Sequence, residues 1–242
     1  VNHADVTYER AGTPLKAYAA WPSAPRRLPG LVLIPDVRGL AEHYRDVARR
    51  FAEEGFFTLA VDLYSREGAP ELPDMAAVFR WIRQLPDPRV LADVGAGVGY
   101  LARRPEVEAS AIGITGFCLG GQYALMAACV VPGLSACVSW YGMLRYAETD
   151  AVKPASPLDL APELACPYLG LFGLEDAIIP LADVDALRTI LTHEGKRFEI
   201  VTYAGAGHAF FNDTRADAYR PEAARDAWSR ALDVFRRHLR VA

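Results

Sequence analysis

Strand-like runs alternate with helix-like segments from Leu31 to the end of the chain, and this alternation constrains the architecture more than any other feature. The runs are Leu31–Pro35, Phe57–Val61, Ser110–Thr115, Leu134–Tyr141, Tyr168–Phe172 and Arg197–Tyr203. Leu31–Pro35 is apolar throughout, which suits a strand covered on both faces. Helix-like sequence occupies Ala41–Glu54, Met75–Gln84, Val90–Arg103, Gln122–Val130, Leu181–His193 and Pro221–Leu239, with Pro86-Asp87-Pro88 dividing the second from the third. Strand, helix and strand in succession give parallel pairs joined right-handedly. The expectation is an α/β protein with a mostly parallel sheet and helices on both faces. Two strands, Val6–Arg10 and Leu15–Trp21, precede this region, with Ala11-Gly12-Thr13-Pro14 as their turn. Asp62–Asp74 reads as a loop and Ala147–Leu164 as a surface excursion. No repeat or linker interrupts the pattern, so residues 1–242 are expected to form one domain without a large cap.

Composition closes several routes. Hydrophobic residues make up 52%, enough to fill such a core, and the net charge of −4 gives no footprint for nucleic acid. No polybasic run and no apolar stretch of about 20 residues suggests a membrane partner. The first residues lack a signal pattern, so the expected location is cytoplasmic. Among four cysteines there is no C-x-x-C pair and no metal-ligand spacing to histidine, so no metal is expected. Cys129, Cys137 and Cys166 lie in or beside apolar runs and read as small hydrophobes.

In open parallel sheets ligands bind beyond the carboxyl ends of the strands, so the residues after each strand bear inspection first. After Ser110–Thr115 stands Gly116-Phe117-Cys118-Leu119-Gly120-Gly121, a strand-to-helix turn with the form of a nucleophile elbow and Cys in place of Ser. The helix N-terminus behind it favours a thiolate. The bland alternative is a glycine-rich turn with an incidental Cys. After Tyr168–Phe172 comes Asp176, placed for a triad acid, with a helix N-cap as its alternative role. After Arg197–Tyr203 a glycine loop carries His208, the expected general base. His3, His43, His193 and His238 read as surface residues. The order Cys118, Asp176, His208 is that of α/β-hydrolases, and three matches in order outweigh any one.

With these residues in place the sequence resembles the dienelactone hydrolase family over nearly its whole length. The resemblance rests on Pro35-Asp36-Val37-Arg38-Gly39-Leu40, Asp62-Leu63-Tyr64, the Cys118 elbow, Gly173-x-x-Asp176-x-x-x-Pro180 and Gly207-His208-x-Phe210. It implies an α/β-hydrolase fold with Cys118 as nucleophile, His208 as base and Asp176 as orienter. It also implies an oxyanion hole from the N–H groups of Val37 and Leu119, no cofactor, and a small ester or lactone as substrate. Asp36 stands where prominent members carry Glu, shorter by about 1.5 Å of reach; it is expected beside Cys118, with capping of local backbone as its alternative role. Arg38, Tyr64 and Phe210 are assigned to substrate binding. Of the two arginines those members use to hold a carboxylate, one falls at Asn212 here. The other cannot be placed among Arg66, Arg80 and Arg83. Arg38 is a substitute cation, unless it pairs with Glu42.

The expected function is therefore a cysteine-nucleophile ester or lactone hydrolase acting through an acyl-thioenzyme, as a monomer or small homo-oligomer. Two alternatives come from other classes: a peroxide-sensing thiol protein using Cys118, and a catalytically silent binding module on the same scaffold.

Overall fold

The computed structural model describes residues 1–24 and 26–241. Its eight strands are β1 (Asn2–Arg10), β2 (Thr13–Trp21), β3 (Leu28–Ile34), β4 (Phe57–Val61), β5 (Val107–Phe117), β6 (Ala136–Trp140), β7 (Tyr168–Gly173) and β8 (Phe198–Tyr203). They form one sheet in the order β1-β2-β4-β3-β5-β6-β7-β8. The β1–β2 and β2–β4 pairs are antiparallel and the rest are parallel. The chain runs from β3 through helix α1 (Glu42–Glu53) to β4, then returns across β3 to β5. The connections thus diverge on either side of β3, which opens a crevice at the carboxyl ends of β3 and β5.

Side chains alternate between two cores, as a sheet covered on both faces requires. Val32 and Ile34 point into one, with Tyr123, Val94 and Leu187; Leu31 and Leu33 point into the other, with Phe51, Trp140 and Phe235. Each such side chain contributes about 1.5–3 kcal/mol by burial. The first face carries α3 (Asp87–Ala102), α4 (Leu119–Val130) and α6 (Leu181–His193); the second carries α1 and α7 (Pro221–His238), and α2 (Met75–Gln84) lies at the carboxyl rim. No helix among the described residues is long and apolar enough to cross a membrane.

Three expectations need correction. Helix α3 begins at Asp87, because Pro88 falls in the first turn, where its missing N–H costs no intrahelical bond. His43 is buried, not on the surface: it shares a helical stripe with Val47 and Phe51 and packs edge-on against Tyr44. The segment 147–164 turns inward. It forms a short α5 (Pro157–Leu160) and a 3-10 turn (Ala161–Glu163), and buries Lys153 against Asp87 with a contact of 2.5 Å.

Candidate active site

The nucleophile position is built by close backbone approach. A Cβ on Gly116 would stand 2.0 Å from the Gly120 oxygen, and one on Gly120 would stand 2.1 Å from the Ile34 oxygen, so only glycine fits at either position. Between them Cys118 is forced to φ +54°, a conformation costing roughly 1–3 kcal/mol. Its N–H donates to Trp140 O at 2.9 Å, and its carbonyl accepts the first bond of α4, from Gln122 N at 3.0 Å. The Leu119 N–H, antiparallel to that carbonyl, is left at the helix mouth without a protein acceptor among the described residues.

The Val37 N–H is presented by the same logic. The carbonyl of its peptide, Asp36 O, accepts from Gly39 N at 2.9 Å, which turns the N–H the opposite way. The next peptide is held at both ends: Tyr64 Oη donates to Val37 O, and Arg38 N donates to Asp36 Oδ1, both over 2.8 Å. Val37, Leu119, Cys118 and His208 all line one cavity of about 170 Å³.

His208 Nδ1 lies 2.8 Å from Asp176 Oδ2. The Asp176 side chain is fully buried, and its other oxygen accepts from Ile178 N at 2.8 Å and Ile179 N at 3.2 Å. Helix α6 starts only at Leu181 with Pro180 at its cap, so Asp176 serves an Asx turn and the imidazole rather than a helix end. Nε2, the ring nitrogen that faces Cys118, is buried and makes no well-aligned hydrogen bond among the described residues. The thiol is nevertheless close enough to act on the ring's charge. Burial disfavours the imidazolium, but Cys118 and Asp176 together prevail and push the His208 pKa up to about 10.

Asp36 lines the cavity with Cys118 and also caps the Arg38 N–H, so both of its anticipated placements are occupied at once. Burial, then the Asp36 charge, holds the Tyr44 hydroxyl well above the usual tyrosine range. Arg38 is exposed at the cavity rim and makes no ion pair among the described residues, since Glu42 is taken by Arg49 at 2.7 Å. Two assigned residues lie elsewhere. Tyr64 is buried behind the Val37 peptide, and Phe210 is fully buried against Tyr141 and Tyr203; neither lines the cavity.

Other lining residues went unassigned. Helix α2 covers the cavity with Met75, Val78, Phe79 and Ile82, and Met75 and Phe79 are still about half exposed. Its apolar positions at i, i+3, i+4 and i+7 were a visible signal, though one shared by any core helix. Arg215 also lines the cavity. The turn that carries it is shaped by buried Asn212, whose Oδ1 accepts from Thr214 N and Oγ1. Arg66 and Arg83 are spent on Asp93 and Asp150, and Arg80 is not among the lining residues. Among the described residues no group of three His, Cys, Asp or Glu could hold a metal ion.

An open, mostly parallel sheet with a strained elbow at one strand end and an Asp–His pair at two others defines an α/β-hydrolase. The chain matches the dienelactone hydrolase family over residues 15–239 and belongs to it. A Methylorubrum extorquens protein provisionally named carboxymethylenebutenolidase is 36% identical over 226 residues, 93% of this chain and 77% of that protein. A Bradyrhizobium protein provisionally named 2-oxo-3-(5-oxofuran-2-ylidene)propanoate lactonase is 38% identical over 223 residues, 92% of this chain and 89% of that one. The crystal structure of a Klebsiella pneumoniae protein provisionally named dienelactone hydrolase superposes with a TM-score of 0.91 at 37% identity, covering 97% of this chain and 98% of that one. The protein is thus a hydrolase of the lactone-cleaving type.

Proposed function

We propose that Cys118, His208 and Asp176 form a catalytic triad that hydrolyses small esters or lactones through an acyl-thioenzyme. The observation that carries this reading is the 2.8 Å Asp176–His208 bond, in a cavity shared with Cys118 and the Val37 and Leu119 amides. Asp176 fixes the ring with Nδ1–H toward itself and Nε2 toward the thiol. Transfer of the Cys118 thiol proton to Nε2 forms the reactive pair. The sulfur adds to the substrate carbonyl, and the oxyanion that forms takes hydrogen bonds from the Val37 and Leu119 N–H groups. Collapse expels the alkoxide, which leaves with the His208 proton. Neutral His208 then takes a proton from water, hydroxide attacks the thioester, and the acid and the resting pair are restored.

The cavity has room for about six water volumes, which favours acyl groups of a few carbons. Arg38 and Arg215 at its wall suit a substrate that carries a carboxylate, as the named Bradyrhizobium relative's substrate does.

Intact mass spectrometry during turnover of phenyl butanoate tests the mechanism. The expected result is a butanoyl adduct on Cys118 in wild type and neither adduct nor turnover in Cys118→Ala. Turnover by Cys118→Ala would remove the thiol from the mechanism. A folded wild type that turns over no ester would support the sensing or silent-module alternatives.

A further inference from the structure

Gln122 lies one helical turn beyond Cys118 on α4 and lines the same cavity, yet it is almost wholly buried. Its Oε1 accepts no hydrogen bond among the described residues, while its Nε2 donates to Tyr146 Oη at 2.5 Å. An unpaired buried amide oxygen is costly in a native wall, and it persists where a ligand supplies the partner. From this, and resting on the hydrolase reading above, we infer that Gln122 is a specificity-determining residue whose Oε1 accepts a hydrogen bond from a hydroxyl group on the substrate.

The direction of the amide is set from behind by a chain of donors that ends on a buried carboxylate. Asp87 is fully buried, and as an ionised group it can only accept. Its Oδ1 receives Lys153 Nζ at 2.5 Å and Tyr123 Oη at 2.8 Å, and its Oδ2 receives Tyr146 Oη at 2.7 Å. The single Tyr146 proton is therefore committed to Asp87, and the Tyr146 oxygen can only accept from Gln122. Flipping the amide would set two oxygens against each other with no proton between them. Gln122 must point its N–H at Tyr146, which leaves Oε1, itself closed to solvent, as the unpaired acceptor in the cavity wall. Four groups outside the catalytic set thus turn an amide, which could present either face, into a fixed acceptor. A substrate with a hydroxyl at that point satisfies it, and one with hydrogen there strands it without a partner.

Four esters test this: phenyl butanoate, its 2-hydroxy and 3-hydroxy derivatives, and 2-hydroxyphenyl butanoate. Each kcat/KM is divided by the ester's rate of alkaline hydrolysis, which removes intrinsic reactivity. Wild type is expected to prefer at least one hydroxylated ester over the parent by about tenfold. Gln122→Met, of similar volume but without an acceptor, is expected to bring that ratio close to one. Tyr146→Phe, which keeps Gln122 but frees its amide to flip, is expected to lower the ratio as well, and this variant stands if Gln122→Met fails to fold. No preference in wild type, or a preference that both variants retain, overturns the inference while leaving the triad standing. Failure of wild type to cleave any of the four overturns the hydrolase reading and this inference with it.

Discussion

Tyr64 Oη donates to the carbonyl oxygen of Val37 across 2.8 Å, which makes a buried side chain on the loop after β4 the anchor of a peptide at the end of β3. That anchor fixes the backbone of Val37, which lines the cavity. In Tyr64→Phe the proposed oxyanion donor, the Val37 N–H, loses its support while the cavity wall is unchanged. Steady-state kinetics on an aryl ester should show kcat reduced about tenfold with KM nearly constant, a loss confined to the transition state. A rise in KM at constant kcat would place Tyr64 in substrate binding instead.

Asp176→Asn tests the orientation of the imidazole. An asparagine can still accept from Ile178 N and Ile179 N through its oxygen, so the turn should survive. Its amide then faces His208 Nδ1 as a donor and forces the proton onto Nε2, the wrong nitrogen for taking one from a thiol. The expected loss in kcat/KM is roughly 10²–10⁴-fold, with a melting temperature close to wild type.

The pH dependence follows from the raised His208 value. Its ring should remain protonated through neutrality and titrate near pH 10 when followed by NMR of the imidazole nitrogens. In Cys118→Ala the midpoint should fall, since the thiol is one of the two groups that raise it. An unfolded histidine titrates near about 6.5. With the folded value above that, the stabilisation from the imidazolium is complete below about 6.5 and is lost as pH climbs toward the folded value. A ring that titrates near 6.5 in wild type would contradict the assignment.

Asp36 caps backbone and lines the cavity that holds Cys118, and two substitutions separate those contributions. Asp36→Asn keeps an oxygen for the Arg38 N–H and removes only the charge; Asp36→Ala removes both. If the Asp36 charge acts on the sulfur through the shared cavity, alkylation by iodoacetamide at pH 7 should be faster in both variants. Acceleration in Asp36→Ala alone would mean that Asp36 acts through the loop.

Arg38 and Arg215 can be distinguished by substrate charge. If each meets a carboxylate at the cavity, Arg38→Ala and Arg215→Ala should raise KM for esters bearing a free acid and spare neutral aryl esters. Arg215 already pairs with Asp217 at 2.9 Å, so the larger effect is expected from Arg38, which has no such partner. Equal effects on both substrate classes would assign the two arginines to the fold.

The sheet and the chemistry after its strands were legible because both follow simple periods. Leu31–Pro35 suits a covered strand, and Cys118, Asp176 and His208 each fell just beyond one. What escaped were groups placed by tertiary contact. Arg215 lies beyond any motif, and nothing in the sequence says that buried Asn212 will shape the turn carrying it. Gln122 reads as one more polar residue on a helix until Tyr146 and Asp87, distant in sequence, are seen to fix its amide. Phe210 showed the opposite fault: its neighbour His208 lent it a role that its complete burial does not support. His43 was readable, being in step with Val47 and Phe51, but its polarity obscured the stripe.

The parallel strands give the sheet two rims with separate duties. Every group assigned to the reaction leaves the carboxyl rim, whereas the turns at Gly55 and Gly195 enter β4 and β8 from the other side, where an added Cβ would meet nothing within 4 Å. Length added at those turns does not reach the cavity. A peptide tag or a second protein spliced in at either turn should leave esterase activity unaltered, so the far rim offers attachment points for immobilisation or fusion.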